Sequence, residues 1–146
     1  MIELADKSSK VIVVGDEPRD RKLLEVYLTN FDLQVISCAN PEKAISELFI
    51  NWPFVAAMFT DYDLPVMTGD HLALMARQRI MELPICIASA SDFHPEQLEY
   101  FEHQGYYLLR KPVTLERFKF VISMISQENH PSYTEYYFQE SLLRFS

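Results

Sequence analysis

Five short apolar runs recur along the chain, at residues 10–14, 33–37, 54–60, 84–88 and 106–109. Most are continuously apolar and do not alternate with polar residues. Runs of that kind suit strands covered on both faces, as in a parallel sheet. The stretches between them carry helical spacing. Residues 19–30 place Leu23, Leu24, Tyr27 and Leu28 on one stripe. Residues 41–50 follow Asn40 as an N-cap, with Pro41 at the first helical position and Ala44, Ile45, Leu48 and Phe49 aligned. Residues 69–81 align Leu72, Met75, Ala76 and Ile80. Residues 95–103 are shorter and more polar. Thr114 caps a helix to Gln127 that turns Phe118, Val121, Ile122 and Ile125 inward.

Five βα units in succession predict an α/β fold: an open, doubly wound, five-stranded parallel sheet with right-handed crossovers and helices on both faces. The domain spans 10–127, preceded by a segment 1–9 and followed by a tail 128–146. In the tail, His130-Pro131 stops the last helix and Ser132 with Glu135 reads as a capping box. Seven large apolar residues follow between Tyr133 and Phe145. They fit a terminal helix packed on its own domain or a frayed end. The sharper alternative is a surface for a partner or a second copy, since so many exposed aromatics are unusual on a monomer.

In sheets of this kind ligands bind at the carboxyl ends of the strands. The residues that follow the strands are therefore the candidates. They are Gly15, Asp16 and Glu17 after the first, Asp61, Tyr62 and Asp63 after the third, Ser89 after the fourth, and Arg110, Lys111 and Pro112 after the fifth. The set holds carboxylates, one hydroxyl and one ammonium. Clustered carboxylates need a cation to stay ionised, and Mg²⁺ takes one or two carboxylates with phosphate and water. A lysine neutralises a phosphoryl oxygen as a point charge, and a carboxylate left free acts as a nucleophile toward phosphorus. Asp16 also suits the capping of the helix that begins at Pro18.

Composition narrows the partners. The net charge is −8, and the Lys and Arg residues form no extended run, so direct nucleic-acid binding is not expected. No apolar run approaches the roughly 20 residues that span a bilayer. The first ten residues are polar and carry both charges, unlike a signal peptide. Cys38 and Cys86 lack metal-ligand spacing and read as reduced core thiols. A cytoplasmic protein is expected. No Gly-x-Gly-x-x-Gly follows the first strand, which argues against a dinucleotide-binding domain. His71, His94, His103 and His130 are expected on surfaces and helix ends.

Four segments together resemble the response-regulator receiver family. Val-Gly-Asp-Glu-Pro at 14–18 is similar to its acidic signature. Asp61-Tyr-Asp-Leu-Pro-Val-Met-Thr-Gly69 carries a phosphoacceptor-like Asp with Pro four and Gly eight positions on. Pro84-Ile-Cys-Ile-Ala-Ser-Ala90 looks like the fourth strand, and Leu109-Arg-Lys-Pro112 resembles the Lys-Pro element, usually a cis peptide. The resemblance implies a stand-alone receiver of a two-component phosphorelay. Asp61 would be phosphorylated by a histidine kinase or phosphotransfer protein, and output would pass by protein contact to a downstream target. It implies Mg²⁺ on Asp16, Asp61 and the backbone carbonyl of Asp63, with Glu17 as a further contributor. It gives Ser89 and Lys111 the phosphoryl oxygens, and it places output on the face of 95–103, 106–109 and 114–127. No enzyme is implied beyond self-phosphorylation and autodephosphorylation.

Three departures stand out. Gly15 replaces the first of two acids and weakens the metal site. Leu108 occupies the place of the switch aromatic. Gln104-Gly105 replaces a small Gly-Ala pair. The alternatives are a pseudo-receiver working unphosphorylated, and an aspartyl-phosphate-forming phosphatase, since Asp61-Tyr-Asp63 also resembles the Asp-x-Asp of haloacid-dehalogenase-like enzymes.

Overall fold

A computed structural model of the chain describes residues 9–128. The tail beyond 128, with its capping box and aromatics, lies outside the described residues, as does nearly all of the segment 1–9. The elements alternate without exception: β1 Lys10–Val14, α1 Pro18–Thr29, β2 Gln34–Cys38, α2 Pro41–Asn51, β3 Val55–Asp61, α3 Gly69–Arg79, β4 Ile85–Ser89, α4 Pro95–Gln104, β5 Tyr107–Arg110 and α5 Leu115–Ser126. A 3₁₀ turn, Trp52–Phe54, joins α2 to β3. The strands form one parallel sheet in the order β2-β1-β3-β4-β5, which is the doubly wound fold expected from the runs.

Side chains alternate across each strand and divide the interior into two cores. Val11, Val13, Phe59, Ala88 and Leu109 face α1 and α5, meeting Leu24, Leu28, Phe118, Val121 and Ile125. Ile12, Val14, Met58, Ile87 and Tyr106 face α2, α3 and α4, meeting Ala44, Leu48, Leu72, Ala76, Leu98 and Phe101. Both faces of the sheet are thus apolar, which is why the runs read as continuous. Cys38 and Cys86 are free and buried, and burial pushes the Cys38 thiol up to about 11.

Several local readings shift. Four strands begin and end one residue later than their apolar runs, because the ladder continues through Cys38, Asp61, Ser89 and Arg110. Asn40 and Thr114 cap their helices, accepting from the Lys43 and Arg117 amides. The cap of α1 is Glu17, accepting from Arg19 N, and Asp16 is left for other work. Phe49 and Leu23 lie outside the buried stripes, Phe49 being 59% exposed. The α2 stripe has room for Ala44 and Leu48 one turn apart, and Phe49 turns off its edge. There the Arg79 guanidinium covers both Phe49 and Trp52, 5.1 Å from each ring. His71, His94 and His103 are exposed, as expected.

Candidate functional site

β3 is the central strand, flanked by β1 and β4. The chain leaves β1 toward β2 on one side and returns to β3 on the other, so the switch point of the sheet falls between the carboxyl ends of β1 and β3. Asp61 is the last residue of β3. Its backbone is paired with Ala88 in the ladder, and the following amide of Tyr62 donates to Ala88 O at 2.9 Å. The carboxylate is therefore held by rigid sheet. Asp61 is 6% exposed.

Lys111 reaches in from the end of β5. Its Nζ lies 2.9 Å from Asp61 Oδ1 and 2.8 Å from Asp20 Oδ2. Two anchors place it: its amide donates to Ser89 O at 2.9 Å, and its peptide bond to Pro112 is cis, as the Lys-Pro element implied. The turn is fastened from below by Arg117, a buried arginine of α5 whose Nη1 donates to Pro112 O at 2.6 Å.

Electrostatics show which charge is in excess. Burial raises the Asp61 carboxyl above its usual range. The Lys111 ammonium opposes that rise without cancelling it, and the Asp20 and Asp16 charges add to it. Burial alone would lower Lys111, yet its hydrogen bonds to Asp20 and Asp61 leave it raised. The Asp61 rise is set first by its burial and the Lys111 rise by its two carboxylate partners, and the rim gathers three carboxylates around one ammonium.

Ser89 ends β4, buried, with its backbone paired to Arg110. Its Oγ accepts from the Ser91 amide at 3.1 Å. Gly15 ends its run beside Asp61: a β-carbon there would stand 2.6 Å from Asp61 Oδ2. The Arg21 side chain lies over it, Nη1 donating to Gly15 O at 2.5 Å and Nε to Ser37 Oγ at 3.1 Å. Gly69 donates its amide to Tyr62 O at 2.7 Å, and any side chain on it would overlap the Asp61 carbonyl. That close approach explains the glycine eight positions after Asp61.

The structure thus brings Asp16, Asp61, Ser89 and Lys111 to one rim. Asp63 lies just beyond β3, bridged to Thr68. Glu17 is exposed and occupied as the cap of α1. Sequence reasoning missed Asp20, Arg21 and Arg117. Asp20 had a signal: it lies in the first turn of the helix that rises from the β1 end, four residues after Asp16. Among the described residues no three His, Cys, Asp or Glu side chains form a ready metal cage. The donors nonetheless fit Mg²⁺, which needs one or two carboxylates and completes its shell with water and phosphate oxygens, and the excess negative charge suits a cation.

Rim, sheet order and flanking helices define a receiver-type α/β domain. A family model for the response regulator receiver domain matches residues 11–123, and the chain belongs to that family. It is 29% identical over 126 residues to the response regulator protein PilR of Pseudomonas aeruginosa, covering 86% of this chain and 28% of PilR. The fold matches the chemotaxis protein CheY4 of Vibrio cholerae with a TM-score of 0.71 and 21% identity, over 80% of this chain and 98% of that one. It also matches a chain of the CheX-CheY-BeF3-Mg+2 complex of Borrelia burgdorferi, with a TM-score of 0.73 and 17% identity, over 80% and 88%. Among the described residues no helix is long and apolar enough to cross a membrane.

Proposed function

We propose that Asp61 accepts a phosphoryl group from a phosphohistidine of a histidine kinase or phosphotransfer protein, and that the modified domain signals by protein contact in the cytoplasm. The observation that carries this is the Lys111 ammonium 2.9 Å from a desolvated carboxylate at the switch point of the sheet. A carboxylate oxygen of Asp61 forms the new P–O bond as the P–N bond of the donor breaks, and the donor imidazole keeps the electron pair. Lys111 neutralises a phosphoryl oxygen, and the Ser89 hydroxyl donates to another. Asp61, Asp16 and the Asp63 carbonyl would hold Mg²⁺, which when bound supplies further positive charge for the transferring oxygens. The main work of such a site is positioning and neutralisation, and the rigid ends of β3 and β4 supply the positioning. The domain turns over no substrate beyond its own phosphorylation and dephosphorylation.

The test is labelling with acetyl phosphate, or adduct formation with beryllofluoride, each with Mg²⁺. The parent should be modified and Asp61→Ala should not. Undiminished labelling of Asp61→Ala refutes the assignment. One observation favours a second reading, a pseudo-receiver that signals unphosphorylated: the space beside Asp61 where the missing acid would stand is closed at Gly15. A parent that takes neither acetyl phosphate nor beryllofluoride would select it.

A further inference from the structure

The loop from Ala90 to His94, between β4 and α4, is fastened at three successive residues. The Ser91 amide donates to Ser89 Oγ at 3.1 Å. Asp92 Oδ1 pairs with Arg110 Nη1 at 2.8 Å. Phe93 is buried and stands edge-on to two rings, Tyr62 at 4.9 Å and 79° and Phe101 at 5.0 Å and 87°. Those two rings belong to different parts of the fold. Tyr62 directly follows Asp61, and its backbone is locked by Ala88 O on one side and the Gly69 amide on the other. Phe101 lies on the buried face of α4. The Tyr62 and Phe101 rings are 6.2 Å apart, so Phe93 sits in a socket with one wall just past the phosphoacceptor strand and the other on α4. Residue 108, half-buried Leu, has no hydroxyl or ring with which to follow Ser89.

We infer that Phe93 is the positioning residue through which the state of Asp61 reaches α4, with Tyr62 and Phe101 as the walls of its socket. The inference rests on the phosphoacceptor reading of Asp61. The Ser89 hydroxyl has one proton to donate and lone pairs to accept. It can therefore donate to a phosphoryl oxygen while still accepting from Ser91. Its movement toward Asp61 then draws Ser91 along, and Phe93 is two residues further on. Tyr62 is anchored by its backbone to Ala88 O and the Gly69 amide, and its side chain hydrogen-bonds with Gln97 of α4, so a displaced Phe93 bears on Phe101 and α4. Packed rings rearrange between discrete states and do not deform smoothly, which suits a switch. Coupling of this kind needs no aromatic at 108.

The experiment measures amide hydrogen exchange of residues 95–104 in the full chain, with and without beryllofluoride and Mg²⁺. The parent should show a change in α4 exchange on forming the adduct. Phe93→Leu should form the adduct as the parent does but lose at least five-fold of that change, and Phe93→Tyr, which keeps the ring, should restore it. Should Phe93→Leu not fold, Tyr62→Leu removes the opposite wall and should lose the change equally. A merely structural Phe93 would alter α4 exchange by the same factor with and without the adduct. That result, leaving the difference intact, overturns the inference, as does a Phe93→Tyr variant no better than Phe93→Leu. A parent that forms no adduct overturns the phosphoacceptor reading, and the inference with it, before any variant is compared.

Discussion

Gly15 offers a direct probe of how tightly the rim is built. A β-carbon at this position falls 2.6 Å from Asp61 Oδ2, closer than any non-bonded carbon–oxygen contact. The Asp61 carboxylate has little freedom to retreat, because Oδ1 is held by Lys111 at 2.9 Å. Gly15→Ala therefore overpacks the site, at about 1–3 kcal/mol, offset by roughly 0.5 kcal/mol from the stiffer unfolded chain. Gly15→Asp adds a carboxylate beside Asp61. Two such charges about 4 Å apart repel by about 4 kcal/mol at an effective dielectric near 20, and water at the open rim reduces this to on the order of 1 kcal/mol. Without divalent metal, both variants should unfold several degrees below the parent, at roughly 4 °C per kcal/mol for a domain of this size, and Gly15→Asp should fall furthest. Mg²⁺ should reverse the order. The added carboxylate should tighten the metal by about tenfold or more, equivalent to about 1.4 kcal/mol, whereas Gly15→Ala should gain nothing over the parent. Thermal unfolding in EDTA and across a Mg²⁺ titration reads both effects. If both variants match the parent in EDTA, the close packing of Asp61 against Gly15 is refuted. An unchanged Mg²⁺ affinity in Gly15→Asp refutes the account of the missing acid.

Further outcomes follow from the same geometry. Gly69→Ala should cost about 2 kcal/mol or more in urea unfolding, since its β-carbon meets the Asp61 carbonyl and not a movable side chain. Lys111→Met should lower the initial rate of labelling by acetyl phosphate at least tenfold, while Asp20→Asn, which frees Lys111 for Asp61 alone, should lower it far less; equal losses would count against Lys111 as the phosphoryl partner. Phe118→Ala removes a ring packed by Tyr27, Phe31 and Phe59 and should cost about 3–5 kcal/mol without abolishing labelling of the folded fraction. The Cys38 thiol, raised from 9.0 to about 11, favours the folded state only while protonated. Its contribution is intact below about pH 9 and is lost as pH rises toward 11, so Cys38→Ala should lessen the slope of stability measured from pH 8 to 11, while the buried Cys86 thiol, also raised, keeps part of it.

The fold was readable because each strand is covered on both faces and so announces itself as an unbroken apolar run. The same property hid the strand ends. Asp61 and Ser89 are polar, so hydrophobicity stopped at Thr60 and Ala88, although the backbone ladder runs one residue further. The consequence is chemical: Asp61, Ser89 and Arg110, read as following the strands, are the last rungs of the sheet. Asp61, Ser89 and Lys111 could be placed on one rim by the strand-end rule alone. Asp20 could be placed near the rim by its position in the first turn of α1, but its pairing with Lys111, 91 positions away, could not. Arg117 was hidden for the opposite reason. An arginine in the first turn of a helix reads as solvated, and its burial follows from the carbonyl of Pro112, which a strand pattern does not display.

The only tryptophan in the chain stands at the far end of this machinery. Trp52 opens the turn before β3, and Asp61 closes that strand. Seven residues at about 3.3 Å each put some 20 Å of rigid sheet between them. Its indole stacks under Arg79, remote from Asp61, Ser89 and the loop that holds Phe93. Indole emission is therefore blind to metal or phosphodonor at the rim and reports on the integrity of the whole domain. The chromophore next to the chemistry is Tyr62. Tyr62 is one of eight tyrosines, so it is read as the change in tyrosine emission on adding ligand, and such a change with the indole band unmoved marks binding that does not loosen the fold.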